Sequence, residues 1–177
     1  TDPTSPGAPV YMDTNSARDV TVVGNYAYIA DAASGLAVID ITDPTSPLAP
    51  VYMDTSGYAY SVTVVGNYAY VADNTSGLAV IDITDPTSPG APVYMDTSGS
   101  ALGVTVVGNY AYVADYGSGL AVIDITDPTS PLAPVYMDTS GYAIDVTVVG
   151  YYAYVTAYRT GLDINYRTTS TNHVEPG

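Results

Sequence analysis

One phrase, written four times, constrains this chain more than any other feature. TDPTSP(G/L)APVYMDT begins at Thr1, Thr42, Thr84 and Thr126, at spacings of 41, 42 and 42 residues. Between these copies lie two further repeated phrases. VTVVGNYAY starts at Val20, Val62 and Val104 and returns as VTVVGYYAY at Val146. SGLAVIDITDPTSP starts at Ser34, Ser76 and Ser118. So literal a repeat implies like units, each covering an apolar face with its neighbour. A longer period sits on top, because SPGAP and SPLAP alternate between successive copies. That pattern fits a two-unit block copied once.

Each unit holds four short runs with strand character. In the second unit they cover residues 62–65, 68–73, 78–83 and 93–96. They are rich in Val, Ile and Tyr and are bounded by Gly, Asn, Asp and Pro. Gly66-Asn67 is a two-residue turn between the first pair. The connector DPTSPGAP carries three prolines and cannot be a central strand. No segment has helical periodicity. Four strands per 42 or so residues is the arithmetic of a propeller blade. The expectation is an all-β, four-bladed β-propeller of four-stranded antiparallel blades. Blades 1 to 3 would span 15–55, 56–97 and 98–139, with the inner strands of blade 4 in 140–167 and a tail over 168–177.

The phrases GNYAYVAD and SGLAVIDITDP resemble the LVIVD-type propeller repeat of bacterial and archaeal surface or secreted proteins. The resemblance weakens in the last unit, where VTAYRTGLDINYR replaces VADYGSGLAVIDI. It implies a propeller fold and an extracellular or cell-surface setting, and it does not imply an enzyme. The start at Thr1 fits either a cleaved secretion signal or a chain boundary.

The repeat is out of phase with the chain. With strands a to d numbered from the inside of a blade, residues 10–13 are an orphan d strand. The fourth blade ends after its c strand, near residues 162–166. The two defects are complementary, so residues 1–14 are expected to add to the last blade and close the ring. Strand exchange between copies is the rival arrangement, giving an oligomer or a filament.

A meander of this kind places the d–a and b–c loops on one face of the disc. Those loops vary between units, whereas the opposite face is nearly constant. The variable face holds Arg18, Asp19, Tyr58, Tyr60, Tyr116, Tyr142, Asp145, Tyr158 and Arg159. Tyr among small polar residues suits glycan or protein binding. The bland alternative is that these loops drifted.

The net charge is −15, with three Arg and no Lys. Such a surface repels nucleic acid and anionic lipid. No apolar run is long enough to insert in a membrane. Nineteen Tyr stand beside no Phe and no Trp. Tyr supplies aromatic bulk with a polar tip, which suits half-buried strands and interfaces. Cysteine is absent, which removes disulfides and thiol chemistry. Asp40 and Asp43, Asp82 and Asp85, and Asp124 and Asp127 pair two carboxylates three residues apart, a possible Ca²⁺ arrangement. Asp before Pro is also an ordinary turn former. His173 is the only histidine, so neither a Ser-His-Asp triad nor a zinc site is expected. Asn74-Thr75-Ser76 is a glycosylation sequon. The residues point to a non-catalytic extracellular subunit that assembles with itself through its faces or terminal strand. A monomeric glycan- or protein-binding module is the alternative.

Overall fold

A computed structural model describes residues 8–166. The tail with His173 lies outside the described residues. Blade 1 comprises β1 (Asp19–Val23), β2 (Tyr26–Ala30), β3 (Leu36–Asp40) and β4 (Val51–Met53). Blade 2 comprises β5 (Ser61–Val65), β6 (Tyr68–Ala72), β7 (Leu78–Asp82) and β8 (Val93–Met95). Blade 3 comprises β9 (Gly103–Val107), β10 (Tyr110–Ala114), β11 (Leu120–Asp124) and β12 (Val135–Met137). Blade 4 has β13 (Tyr142–Val149), β14 (Tyr152–Tyr158) and β15 (Gly161–Tyr166). Every sheet is an antiparallel meander in chain order.

The turns follow from the residues that punctuate the sequence. Gly66 opens the a–b turn with φ of 59°, where a side chain would be strained. Gly77 has φ of 74°, and a Cβ there would run into the Met95 carbonyl oxygen. The c–d connector is tied to the a–b turn by the Ile83 N–H, which donates to the Asn67 carbonyl at 2.8 Å. Both loops therefore lie on the constant face.

Neighbouring blades pack through small residues alternating with large ones. Tyr28, Ala30, Leu36 and Val38 of blade 1 meet Val62, Ala69, Val71, Ala79 and Ile81 of blade 2. Blades 2 and 3 repeat the arrangement with Tyr70, Ala72, Leu78 and Val80 against Val104, Ala111, Val113, Ala121 and Ile123. This interleaving is how β-sheets reach interior packing density. The Thr21 hydroxyl donates to the Val62 carbonyl at 2.8 Å, and the Thr63 hydroxyl to the Val104 carbonyl at 2.9 Å. On the variable face, isolated bridges Ala32↔Ala59, Asn74↔Ala101 and Tyr116↔Ala143 join each b–c turn to the next d–a loop.

A buried aspartate fastens the linker from blade 1 to blade 2 and the linker from blade 2 to blade 3. Asp73 and Asp115 are wholly buried. Asp73 accepts the Thr55 hydroxyl at 2.7 Å and the Gly57 N–H at 2.8 Å. Asp115 does the same with Thr97 and Gly99. Burial raises the Asp73 carboxyl above its usual range, and these donors oppose the shift.

The expected closing strand is not formed. No strand covers residues 10–13, and among the described residues β15 has no outer partner. Local contacts instead hold the leading segment to blade 1. Met12 packs on Ala27, Ile29, Ala37 and Ile39. The Asn15 and Ser16 N–H groups donate to the Asp31 carboxylate at 3.1 and 2.6 Å. The segment thus sits where the d strand of a preceding blade would sit, but Tyr11 remains 86% exposed. Blade 4 also offers it a poorer edge, because Asp163 stands in β15 at the register of Ala37 in β3.

Both ends of the blade array consequently show apolar side chains. Val20 is 57% exposed, whereas its equivalent Val62 is 1% exposed. Leu162 and Ile164 are 59% and 58% exposed, whereas Leu36, Leu78 and Leu120 are wholly buried.

Candidate functional site

The variable face splits into two clusters rather than one. At the start of the array, the Arg18 guanidinium lies 5.5 Å from the centre of the Tyr60 ring. Asp19 does not face a ligand there. Its carboxylate accepts the Ser61 hydroxyl at 2.8 Å and the Val62 N–H at 3.0 Å, tying blade 1 to blade 2. Tyr58 is exposed beside this joint. Asp145 likewise serves the backbone, accepting the Val146 N–H at 2.9 Å.

The second cluster lies at the joint of blades 3 and 4. Tyr116 and Tyr142 stack with ring centres 4.4 Å apart and planes 7° apart. The Arg159 guanidinium sits 5.7 Å from the Tyr142 ring centre and 5.6 Å from that of Tyr158. Gly117, Ser140, Gly141, Tyr142, Tyr158, Arg159 and Thr160 line a cleft of about 340 Å³. Two backbone features place these side chains. The bridge Tyr116↔Ala143 brings the b–c turn of blade 3 against the loop entering β13. Arg159 occupies the β14–β15 turn with φ of 80°.

Sequence reasoning found the tyrosines and the arginine, and missed Ser140, Thr160 and the carboxylate beneath them. Asp163 accepts the Ser140 hydroxyl at 2.8 Å and the Ser140 N–H at 3.2 Å. The available signal was Ala157, which stands at the register of the buried aspartates of the other blades. In the other two linkers the equivalent serine N–H donates to a d-strand tyrosine hydroxyl, Ser56 to Tyr94 and Ser98 to Tyr136, whereas Ser140 donates to Asp163.

The connector aspartates act as turn acceptors. Asp43 takes the Thr45 N–H at 2.9 Å and the Thr45 hydroxyl at 2.6 Å, and Asp85 and Asp127 repeat this with Thr87 and Thr129. Asp40, Asp82 and Asp124 each accept the N–H two residues on, from Thr42, Thr84 and Thr126, at 2.8 Å. These donors hold all six carboxyls below their usual range. Among the described residues, no three acidic or histidine side chains gather as a metal site would need.

The fold, with four like blades and three internal joints, defines a repeat β-propeller. The LVIVD repeat profile matches residues 15–55, 56–97, 98–139 and 140–164, and the chain belongs to that family. No curated protein sequence matches it. Among solved structures it is similar to the computationally designed Ika4 protein, with a TM-score of 0.71 and 11% identity over 89% of this chain and 94% of that one. The designed Ika8 protein follows with a TM-score of 0.66 and 12% identity over 85% of this chain and 45% of that one. BamB from Moraxella catarrhalis gives a TM-score of 0.58 and 15% identity over 88% of this chain and 45% of that one. The chain spans under half the length of the last two. At these identities the likeness concerns the fold alone.

Proposed function

We propose that this propeller is a non-catalytic scaffold of an extracellular or cell-surface setting that assembles with copies of itself through the two ends of its blade array. One observation carries the reading: Leu162 lies open to solvent where Leu36, Leu78 and Leu120 are wholly buried, and Ile164 where Val38 and Val80 are buried. The opposite end carries the matching half of such a joint, with Val20 and Val22 exposed. The leading segment repeats the VYM of β4, β8 and β12, and among the described residues no such strand lies on the outer edge of β15. In a second copy, residues 10–12 can pair with 162–164 as Val51–Met53 pairs with β3. Such a contact joins unlike surfaces, so it repeats from copy to copy until it closes into a ring or runs on as a filament.

The non-catalytic part rests on how the carboxylates are spent. Asp31, Asp73 and Asp115 anchor linkers, and the connector aspartates cap turns. The extracellular setting rests on the family resemblance and on a tyrosine-rich, lysine-free array of near-identical repeats.

Light scattering coupled to size exclusion tests the reading, with negative-stain imaging to tell rings from filaments. Oligomers are expected for the unaltered chain, and Leu162→Asp with Ile164→Asp should return them to monomers. A monomer at every concentration overturns self-assembly and leaves closure within one chain.

A further inference from the structure

The cleft between blades 3 and 4 differs from its counterparts at the other two internal joints. The b–c turn and d–a loop that meet at each joint present Ala32 with Tyr58, Asn74 with Ser100, and Tyr116 with Tyr142. Only the last pair is aromatic on both sides, and its rings stack. Tyr158 and Arg159 then close the same cleft from blade 4. At the register where blades 1 to 3 carry a buried aspartate, blade 4 carries Ala157, and two residues later it carries Arg159. The replacement removes one negative charge and adds one positive charge beside the cleft. The rest of the molecule is strongly acidic, yet Arg159 makes no ion pair among the described residues. It rests over two tyrosine rings, and no described residue takes its donors. Asp163, a carboxylate on this side of blade 4, is engaged by the Ser140 N–H and hydroxyl.

We propose that this cleft binds a carboxylated sugar unit of an acidic polysaccharide. The Tyr158 ring, 57% exposed, offers a flat apolar face for the C–H side of a pyranose ring, while Tyr142, stacked on Tyr116, backs the Arg159 guanidinium. Arg159 offers a forked set of donors to the sugar carboxylate, the geometry in which guanidinium–carboxylate pairs are strongest. Thr160 also lines the cleft, and Gly117 leaves open space where a side chain would stand. A volume of about 340 Å³ suits one or two sugar units at a time, so a polymer would be gripped at a single point per chain. The molecule's net charge of −15 opposes an anion at long range. At physiological salt that repulsion is screened beyond about 8 Å, which leaves the local guanidinium in control. Repeated copies in an assembly would add avidity to one weak site, but the proposal stands for a single chain as well.

Titration calorimetry with a tetramer of galacturonic acid tests it, against a neutral galactose tetramer of equal length and against sulfate. The acidic tetramer should bind, and the neutral one should bind at least about 10-fold more weakly, as loss of one charged hydrogen-bonded pair implies. Arg159→Gln and Tyr142→Ala should each weaken the acidic tetramer about 10-fold or more, and Tyr58→Ala at the first joint should leave it unchanged. Circular dichroism on each variant confirms that the fold is kept. Absence of binding to the unaltered chain overturns the proposal. So does equal binding of the neutral tetramer, or an affinity indifferent to Arg159→Gln. Displacement of the tetramer by an equal concentration of sulfate overturns the sugar assignment. None of these results bears on the oligomeric state, so the site and the assembly stand or fall separately.

Discussion

Blades 2 and 3 meet through one kind of joint, and blades 3 and 4 through a poorer copy of it. At the first, Ala121 and Ile123 of β11 complete an apolar face against Leu78 and Val80. At the second, their register positions hold Asp163 and Asn165. Among the described residues the buried Asn165 side-chain amide N–H₂ has no hydrogen-bond partner, and Val122 across the joint is only partly covered. The linker knot also changes: Thr97 donates to a buried Asp115, whereas Thr139 turns back to the Gly141 carbonyl at 2.7 Å. The same fold survives both versions. Joint quality is thus graded along the array, and it declines toward the end that carries the cleft and the exposed leucine.

Several substitutions would break or sharpen that contrast. Leu78→Ala should cost the most, about 2–5 kcal/mol by denaturant unfolding, because it empties a wholly buried site. Leu162→Ala at the equivalent register should cost under about 0.5 kcal/mol in the monomer. Equal losses would mean that the fourth blade is covered after all. Asp115→Ala should cost about 1–3 kcal/mol by leaving the Thr97 hydroxyl and Gly99 N–H without an acceptor in a buried site. Asp163→Ala, which frees only an exposed Ser140, should cost less than that in the same assay. Asn165→Ile restores the residue type found at Ile81 and Ile123. It should stabilise by about 1–2 kcal/mol, read as a higher urea midpoint at constant slope.

The smallest effects concern pH. The connector aspartates have depressed carboxyls, so each stabilises the fold above its unfolded value near 3.9 and loses that contribution as pH falls through the lower folded value. Asp73 runs the other way. Its carboxyl is raised mainly by burial, so the cost of its charge is present at neutral pH and is relieved as pH falls through that raised value. Acid titration of stability for Asp73→Asn should therefore show a steeper loss on lowering pH than the unaltered chain. A shallower one would reverse the assignment. Removing divalent ions with EDTA at low ionic strength should leave the melting temperature unchanged, because the turns supply the aspartates with their own donors. A fall would establish a cation site at the connectors.

Much of this was legible in the sequence, and for a definite reason. A strand's outline depends on local alternation, turn glycines and prolines, and those recur with the period. The runs read at 62–65, 68–73 and 78–83 correspond to β5, β6 and β7 to within a residue. The aspartate ending the second run proved to lie past the strand, because its side chain takes up the linker from the preceding blade. Of the candidate residues, Tyr116, Tyr142, Tyr158 and Arg159 come together, whereas Arg18 and Tyr60 form a separate pair and Asp19 and Asp145 serve the backbone. Loop composition marks a face, but which loops touch depends on blade order and twist.

The sequence by itself settled the number of repeats, the strands within each and the face on which variation gathers. Those follow from short-range sterics and from the need to cover alternate side chains. The tertiary structure alone decided where the leading segment goes. Residues 10–13 carry the same letters as three paired d strands, so nothing local distinguishes them. Contacts with Ala27, Ile29 and the Asp31 carboxylate hold the neighbouring Met12, Asn15 and Ser16 to blade 1. Identical strands end in different partnerships because pairing is a competition among edges far apart in the chain, and only the assembled blades set its terms.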